Sequence, residues 1–227
     1  MKLNEILKAI LAGILVGLTG IEFLFVKQFD FGLNQFLAAF IFPFGNTLVL
    51  VLALLLFNGQ VANLYNSDNK MKVLKLFVML FFNILGVMLV GFIFMIFKGK
   101  DLNIVERMVS VANDKFPEYS LKYHFNLLLK GMFCGMFIFL GVFFYKYFKN
   151  PFLKVLGIWL PVFIYVYSGF NNGITDVYYL MASNRFSIIS IIFVLTAIFG
   201  NACGAILLQT FINFAYKKKE KKPEYKN

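Results

Sequence analysis

Histidine, tryptophan and cysteine are nearly missing from this chain, which has one His, one Trp and two Cys among its 227 residues. The two cysteines lie in apolar surroundings, GMFCG around Cys134 and GNACG around Cys203. So placed, they suggest neither a disulfide framework nor a thiolate metal centre. His124 has no second imidazole with which to share a metal ion, and it falls at the start of an apolar run, where an interfacial place is expected. Acidic residues are scarce as well, 11 against 22 basic ones. No Walker loop, no G-x-S-x-G and no paired catalytic carboxylates occur within the apolar runs. Enzyme chemistry therefore has little to stand on, and no catalytic residue, metal or cofactor is expected.

What the chain has in excess is apolar surface. It is 60% hydrophobic, carries 31 Phe and has a mean hydropathy of +0.78. A soluble core of this size does not need so much. Long apolar runs lie near residues 5–26, 36–57, 74–97, 125–148, 152–182 and 186–216. Most reach the roughly 20 residues that a helix needs to cross about 30 Å of hydrocarbon. The first run lacks an A-x-A-like cleavage site and is too long for a signal sequence, so a retained helix is expected. The reading is an all-α membrane protein of about six spans, a single domain over residues 1–227.

The surplus of positive charge fits the same reading. With six spans, one side holds Lys2, Lys8, Lys70, Lys72, Lys75, Lys146, Lys149, Lys154 and a basic tail at 217–227. The other holds Lys27, Arg185 and a longer loop, 98–124, where basic residues alternate with Asp101, Glu106, Asp114 and Glu118. The positive-inside rule then places both termini in the cytoplasm, with the plasma (inner) membrane as the location. The +11 charge needs no nucleic-acid partner; the tail is a topology signal that also suits contact with membrane lipid.

The two halves of the chain repeat each other. AGILVG (12–17) matches KGMFCG (130–135), Pro43 matches Pro161, and NILG (83–86) matches NACG (201–204), all at one common offset. Between these anchors FNGQVANLY (57–65) aligns with FNNGITDVY (170–178). Repeat one then covers about 5–98 and repeat two about 124–216. Each has three spans, an odd number, so the second starts from the opposite side and the repeats are inverted. The polar stretches FNG (57–59) and SGFNNG (168–173) interrupt the second and fifth spans, one per repeat. Irregular backbone at such depth survives only buried in protein or beside a water-filled cavity. Asn58 and Asn172 are expected to face one another across the midpoint, since their loops occupy equivalent places. The G-x-x-x-G pairs at 13 and 17, 131 and 135, and 200 and 204 suit close helix packing, within the bundle or between subunits.

With these features in hand, the sequence resembles the formate/nitrite transporters over nearly its whole length. The likeness runs from LKAILAGILVGLTG through LLLFNGQ and LLLKGMFCG to LPVFIYVYSGFNNGITDVYYL and IFGNACGAIL. The resemblance implies an aquaporin-like channel with one pore per protomer and a homopentamer. It also implies a substrate that is a small monovalent anion or its conjugate acid, such as formate, nitrite, hydrosulfide, acetate or lactate. The family pattern P-x-x-x-F-x-x-x-G-F-E-H in the fifth span keeps Pro161, Gly169 and Phe170 here. By the same resemblance Leu56 and Tyr165 take the constriction slots, with Phe57 and Phe170 nearby.

The departures fall on the functional positions. The family's pore histidine is Asn172, the glutamate before it Asn171, the asparagine four residues on Asp176, and the threonine facing the histidine Asn58. A vestibule lysine of the family falls near Tyr119, with Lys115 and Lys122 close by. Carboxamides donate and accept hydrogen bonds but do not titrate, so this pair suits a neutral acid or polar solute. Asp176 is either a cap on the helix after the break or a gating or substrate group. Two competing functions remain: an aquaporin-like pore for a small neutral solute, and a membrane subunit of a larger transporter.

Overall fold

A computed structural model describes residues 1–27, 32–66, 70–97, 102–117, 120–184 and 186–216, and every regular element among them is helical. The 217–227 tail, Arg185, Asp101, Glu118 and Tyr119 lie outside the described residues. The first span is α1 (Leu3–Lys27) and the second is α2 (Asn34–Ile41) with α3 (Pro43–Val51). Pro43, which has no N–H to donate, stands at the first position of α3 and marks the joint at Phe42. After a non-helical passage come one short turn, α4 (Phe57–Gln60), and a 3₁₀ turn, Val61–Asn66. The third span is α5 (Lys70–Phe97).

Helix α6 (Leu102–Lys115) occupies what the sequence reads as a loop. It is amphipathic, with Val111 and Ala112 buried and Ser110, Asn113 and Asp114 exposed, and packs against the helix after the second break. The fourth span is α7 (Leu121–Tyr147). The fifth is α8 (Pro151–Tyr167) followed, across a second break, by α9 (Gly173–Ser183). Seventeen residues of α8 reach only about 25 Å, so α9 is needed to complete the crossing. Helix α10 (Ile188–Ala215) is the sixth span. Five of these segments are long and apolar enough to cross a membrane as single helices, counting α2 and α3 together. The broken fifth is the exception.

The glycine pairs are spent inside the protomer. A Cβ on Gly13 would strike the backbone carbonyl of Asn83, and one on Gly135 the carbonyl of Asn201. Helix α1 therefore lies backbone to backbone on α5, and α7 on α10, as small residues allow. This settles where the G-x-x-x-G faces go, and it shifts the repeat register. The counterpart of Gly13 is Gly135, one helical turn beyond the match with Gly131 that the sequence suggests. Motif letters matched; backbone contacts decide.

Both breaks have the same backbone. In the first, Ala53 has a positive φ of 48°, with Ala53 N–H donating to Leu50 O and Leu54 N–H to Val49 O. In the second, Gly169 has φ of 70°, with Gly169 N–H donating to Val166 O and Phe170 N–H to Tyr165 O. This is the paired closure that ends a helix on a left-handed residue. The first helix thus stops at Leu52–Leu56, ahead of FNG, and Phe57, Asn58 and Gly59 form a helical turn. The sequence misplaces that break because Ala53 carries no glycine signal.

Candidate functional site

Two asparagines outside the breaks hold them open. Asn83 of α5, fully buried, accepts the Phe57 N–H at 2.8 Å and donates to Leu55 O and Ala9 O, both at 2.8 Å. Asn201 of α10 repeats the arrangement. It accepts the Gly173 N–H at 3.0 Å and donates to Asn171 O at 2.8 Å and Gly131 O at 2.9 Å. Each satisfies backbone groups that a break frees, which would otherwise be costly at this depth. The sequence shows these residues only as matched letters, NILG and NACG.

These bonds define the equivalent positions. Phe57 corresponds to Gly173, and Leu55 to Asn171, so the counterpart of Asn172 is Leu56 and that of Asn58 is Ile174. Asn58 and Asn172 nevertheless meet: Asn58 Nδ2 donates to Asn172 Oδ1 at 2.9 Å, with both residues buried. The expected pair is present, although the symmetry given as its reason does not relate the two residues. Asn172 is also the cap of α9, since its Oδ1 accepts the Ile174 N–H at 3.2 Å. Its Nδ2 donates to the Tyr165 hydroxyl at 3.3 Å.

On the α6 side of this pair lies a cavity of about 250 Å³, whose lining includes Lys27, Gln35, Tyr165, Asn171, Asn172 and Asp176. Phe170 lines it and stacks on Phe133, ring centroids 5.3 Å apart. Asp176 is 2% exposed. Its carboxylate pairs with Lys115 Nζ from the end of α6 and accepts from Asn171 Nδ2 at 3.0 Å. The Lys115 ammonium also sits 5.1 Å from the Tyr179 ring centroid, and Tyr123 OH donates to Lys115 O at 3.0 Å. Asp176 is thus in the first turn of α9 but caps nothing, because Asn172 holds that place. Lys115, one of two lysines near the family's vestibule position, is the one that reaches the cavity.

On the opposite side is a recess of about 40 Å³, lined by Asn46, Leu56, Gly59, Gln60, Ile158 and Lys146, among others. Leu56 therefore faces this recess and Tyr165 the cavity, one on each side of the Asn58–Asn172 pair. Phe57 is buried but lines neither space. Sequence reasoning missed Asn46 and Thr175. Both are buried, one beside each space, and each has a polar atom without a hydrogen-bond partner. A polar residue inside an apolar run is the one signal that singles them out.

The sequence profile of the family described as formate/nitrite transporter matches residues 2–215. The chain belongs to the formate/nitrite transporter family. Among solved structures it is similar to an ion channel of the same family, with a TM-score of 0.81 at 20% identity over 94% of this chain and 90% of that one. It is also similar to a pentameric formate channel with formate bound, with a TM-score of 0.77 at 20% identity over 94% and 95% of the two chains. A comparison with curated proteins gave no match. The likeness in fold carries the aquaporin-like arrangement of two inverted three-span repeats with broken second and fifth spans. Membership of this transporter family makes the chain a membrane channel for small anions or weak acids, and not an enzyme.

Proposed function

We propose that each protomer conducts a small monocarboxylate or inorganic monoanion, or its conjugate acid, along a path through the cavity, the Asn58–Asn172 pair and the recess. The observation that carries this reading is the hydrogen bond between those two asparagines, which joins the two breaks midway between two spaces opening on opposite sides. Asn171, Asp176, Tyr165 and Phe170 line the approach from the α6 side, Leu56 narrows the other side, and Phe57 supports the turn that carries Asn58. The solved pentameric formate channel of the same fold supports a homopentamer with five separate pores. The glycine faces no longer do, since they are used within the protomer. Exposed Phe and Leu side chains on the outside of the bundle suit lipid and neighbouring subunits.

The lysine distribution supports a plasma-membrane location with both termini cytoplasmic, which makes the recess the inner opening. Residues 1–227 form one channel domain, with repeats at about 5–98 and 124–216 and a basic cytoplasmic tail at 217–227. The test is flux of a panel of small weak acids into proteoliposomes across a range of pH. Uptake well above protein-free vesicles, with particle images showing five-fold rings, is the expected result. Absence of uptake for every weak acid and anion in the panel removes the reading.

A further inference from the structure

We propose that the groove between α7 and α8 holds an anionic phospholipid from the leaflet on the lysine-rich side, with its acyl chain packed against the aromatic support of the second break. The inference does not depend on which solute is conducted. The groove has a volume of about 360 Å³ and an entirely apolar lining that includes Phe137, Phe144 and Phe148 of α7 and Leu153, Leu160 and Ile164 of α8. Gly157 sets its floor: a Cβ there would lie 2.8 Å from Phe144 Cβ, so the two helices close the groove from behind. Its outer side is open, with Leu153, Leu160 and Ile164 all exposed.

Length points to the occupant. From Leu153 to Ile164 the helix rises about 16 Å, close to half of the roughly 30 Å of hydrocarbon. A helix of a neighbouring subunit would run across the whole membrane, whereas an acyl chain spans one leaflet. Charge points to the headgroup. The two lining residues nearest the α7–α8 turn, Phe148 and Leu153, are each followed by a lysine, Lys149 and Lys154. Neither lysine is in an ion pair among the described residues, whereas Lys75, on the same side, is paired with Glu5. No Asp or Glu occurs in residues 131–175. Asn150 Oδ1 already accepts the Phe152 and Leu153 N–H groups at 2.9 and 3.2 Å. The lysines, and not the helix end, are therefore what a phosphate would meet. Lysines at the membrane surface attract anionic headgroups, and a zwitterionic one gains less.

The deep end of the groove reaches the second break. Phe137 lines it there and stacks on Phe170, ring centroids 6.1 Å apart at 24°. Phe170 in turn follows the left-handed Gly169 and lines the cavity. A chain in the groove supplies Phe137 with contacts on its open side and so supports the break from the lipid side.

Trp159 is the single tryptophan, so Trp159→Phe with Leu160→Trp puts one fluorophore in the groove of the full chain. In liposomes, phosphatidylglycerol with brominated chains should quench it at a lower mole fraction than brominated phosphatidylcholine. A lysine near the surface is worth about fivefold. Lys149→Gln should cut the preference by about that factor, and adding Lys154→Gln should leave the two lipids about equal. Lys8→Gln, on the same side but on α1, should change nothing. Phosphatidylglycerol should also raise the melting temperature in detergent, and Phe137→Ala should lose that gain while keeping the preference. Quenching by neither lipid means that a neighbouring subunit covers the groove, and overturns the inference. Equal quenching before the lysines are changed, a preference that survives the double variant, or one that Lys8→Gln lowers as much, overturns it too. A melting gain kept in Phe137→Ala overturns the support of the break. Should Leu160→Trp fail to fold, Ile164→Trp carries the fluorophore instead.

Discussion

The two breaks share a backbone and differ in nearly every side chain. Each stops its helix on a left-handed residue, Ala53 or Gly169, and each is bracketed by one buried asparagine from a neighbouring span, Asn83 or Asn201. Beyond that the likeness ends. The first break passes through Leu55 and Leu56 into a single turn and offers Asn58. The second passes through Asn171 and Asn172 into α9 and is tied by Asp176 to Lys115. The brackets solve a problem both halves have, unpaired backbone at mid-membrane depth, so they are the same. The solute meets only one path, so the groups along it need not obey the symmetry.

The largest effect should come from the brackets. Asn83→Leu and Asn201→Leu each leave one N–H and two carbonyls without their partner, a cost on the order of 3 kcal/mol or more. Both variants should lose most folded protein, read by yield and melting in detergent. A large effect for one with none for the other would break the equivalence of the two breaks.

The tie that only the second break has should come next. Lys115→Met strands the Asp176 carboxylate, and breaking a buried pair costs about 3–5 kcal/mol. Lys115 keeps 21% of its side-chain surface exposed, so about 2 kcal/mol is expected here. Adding Asp176→Asn should restore most of the melting temperature. If the double variant is no better than Lys115→Met alone, the pair is not what matters.

Asn172→His tests the chemistry of the second break. No imidazole stands at the Asn58–Asn172 pair, and the new one should impose a step in flux within about pH 5–7.5. Below that step the ring is charged, so movement of an anion should rise as pH falls. A wild-type protein that already shows such a step with a non-titrating substrate, and keeps it in Asp176→Asn, would contradict this account of the site.

The smallest effect tests the shared backbone. Ala53→Gly relieves a Cβ held at positive φ and should stabilise by about 1 kcal/mol; Gly169→Ala should cost about as much. Melting of the two variants in parallel checks the pair, and equal signs would refute it.

The sequence by itself determined the class, the six spans and the existence of one polar interruption in each half. It also named the two asparagines that meet. Apolar length, lysine distribution and polar letters inside apolar runs are local properties, and local properties survive in one dimension. Where the first break lies was decided by tertiary structure, because an alanine takes a left-handed angle only when surrounding packing holds it there. The same is true of the bracketing role of Asn83 and Asn201, the register that pairs Gly13 with Gly135, the pairing of Lys115 with Asp176, and the unpartnered amide of Asn46. Each depends on which groups lie across the bundle. Hydrogen bonds between residues far apart in the chain leave no spacing to read.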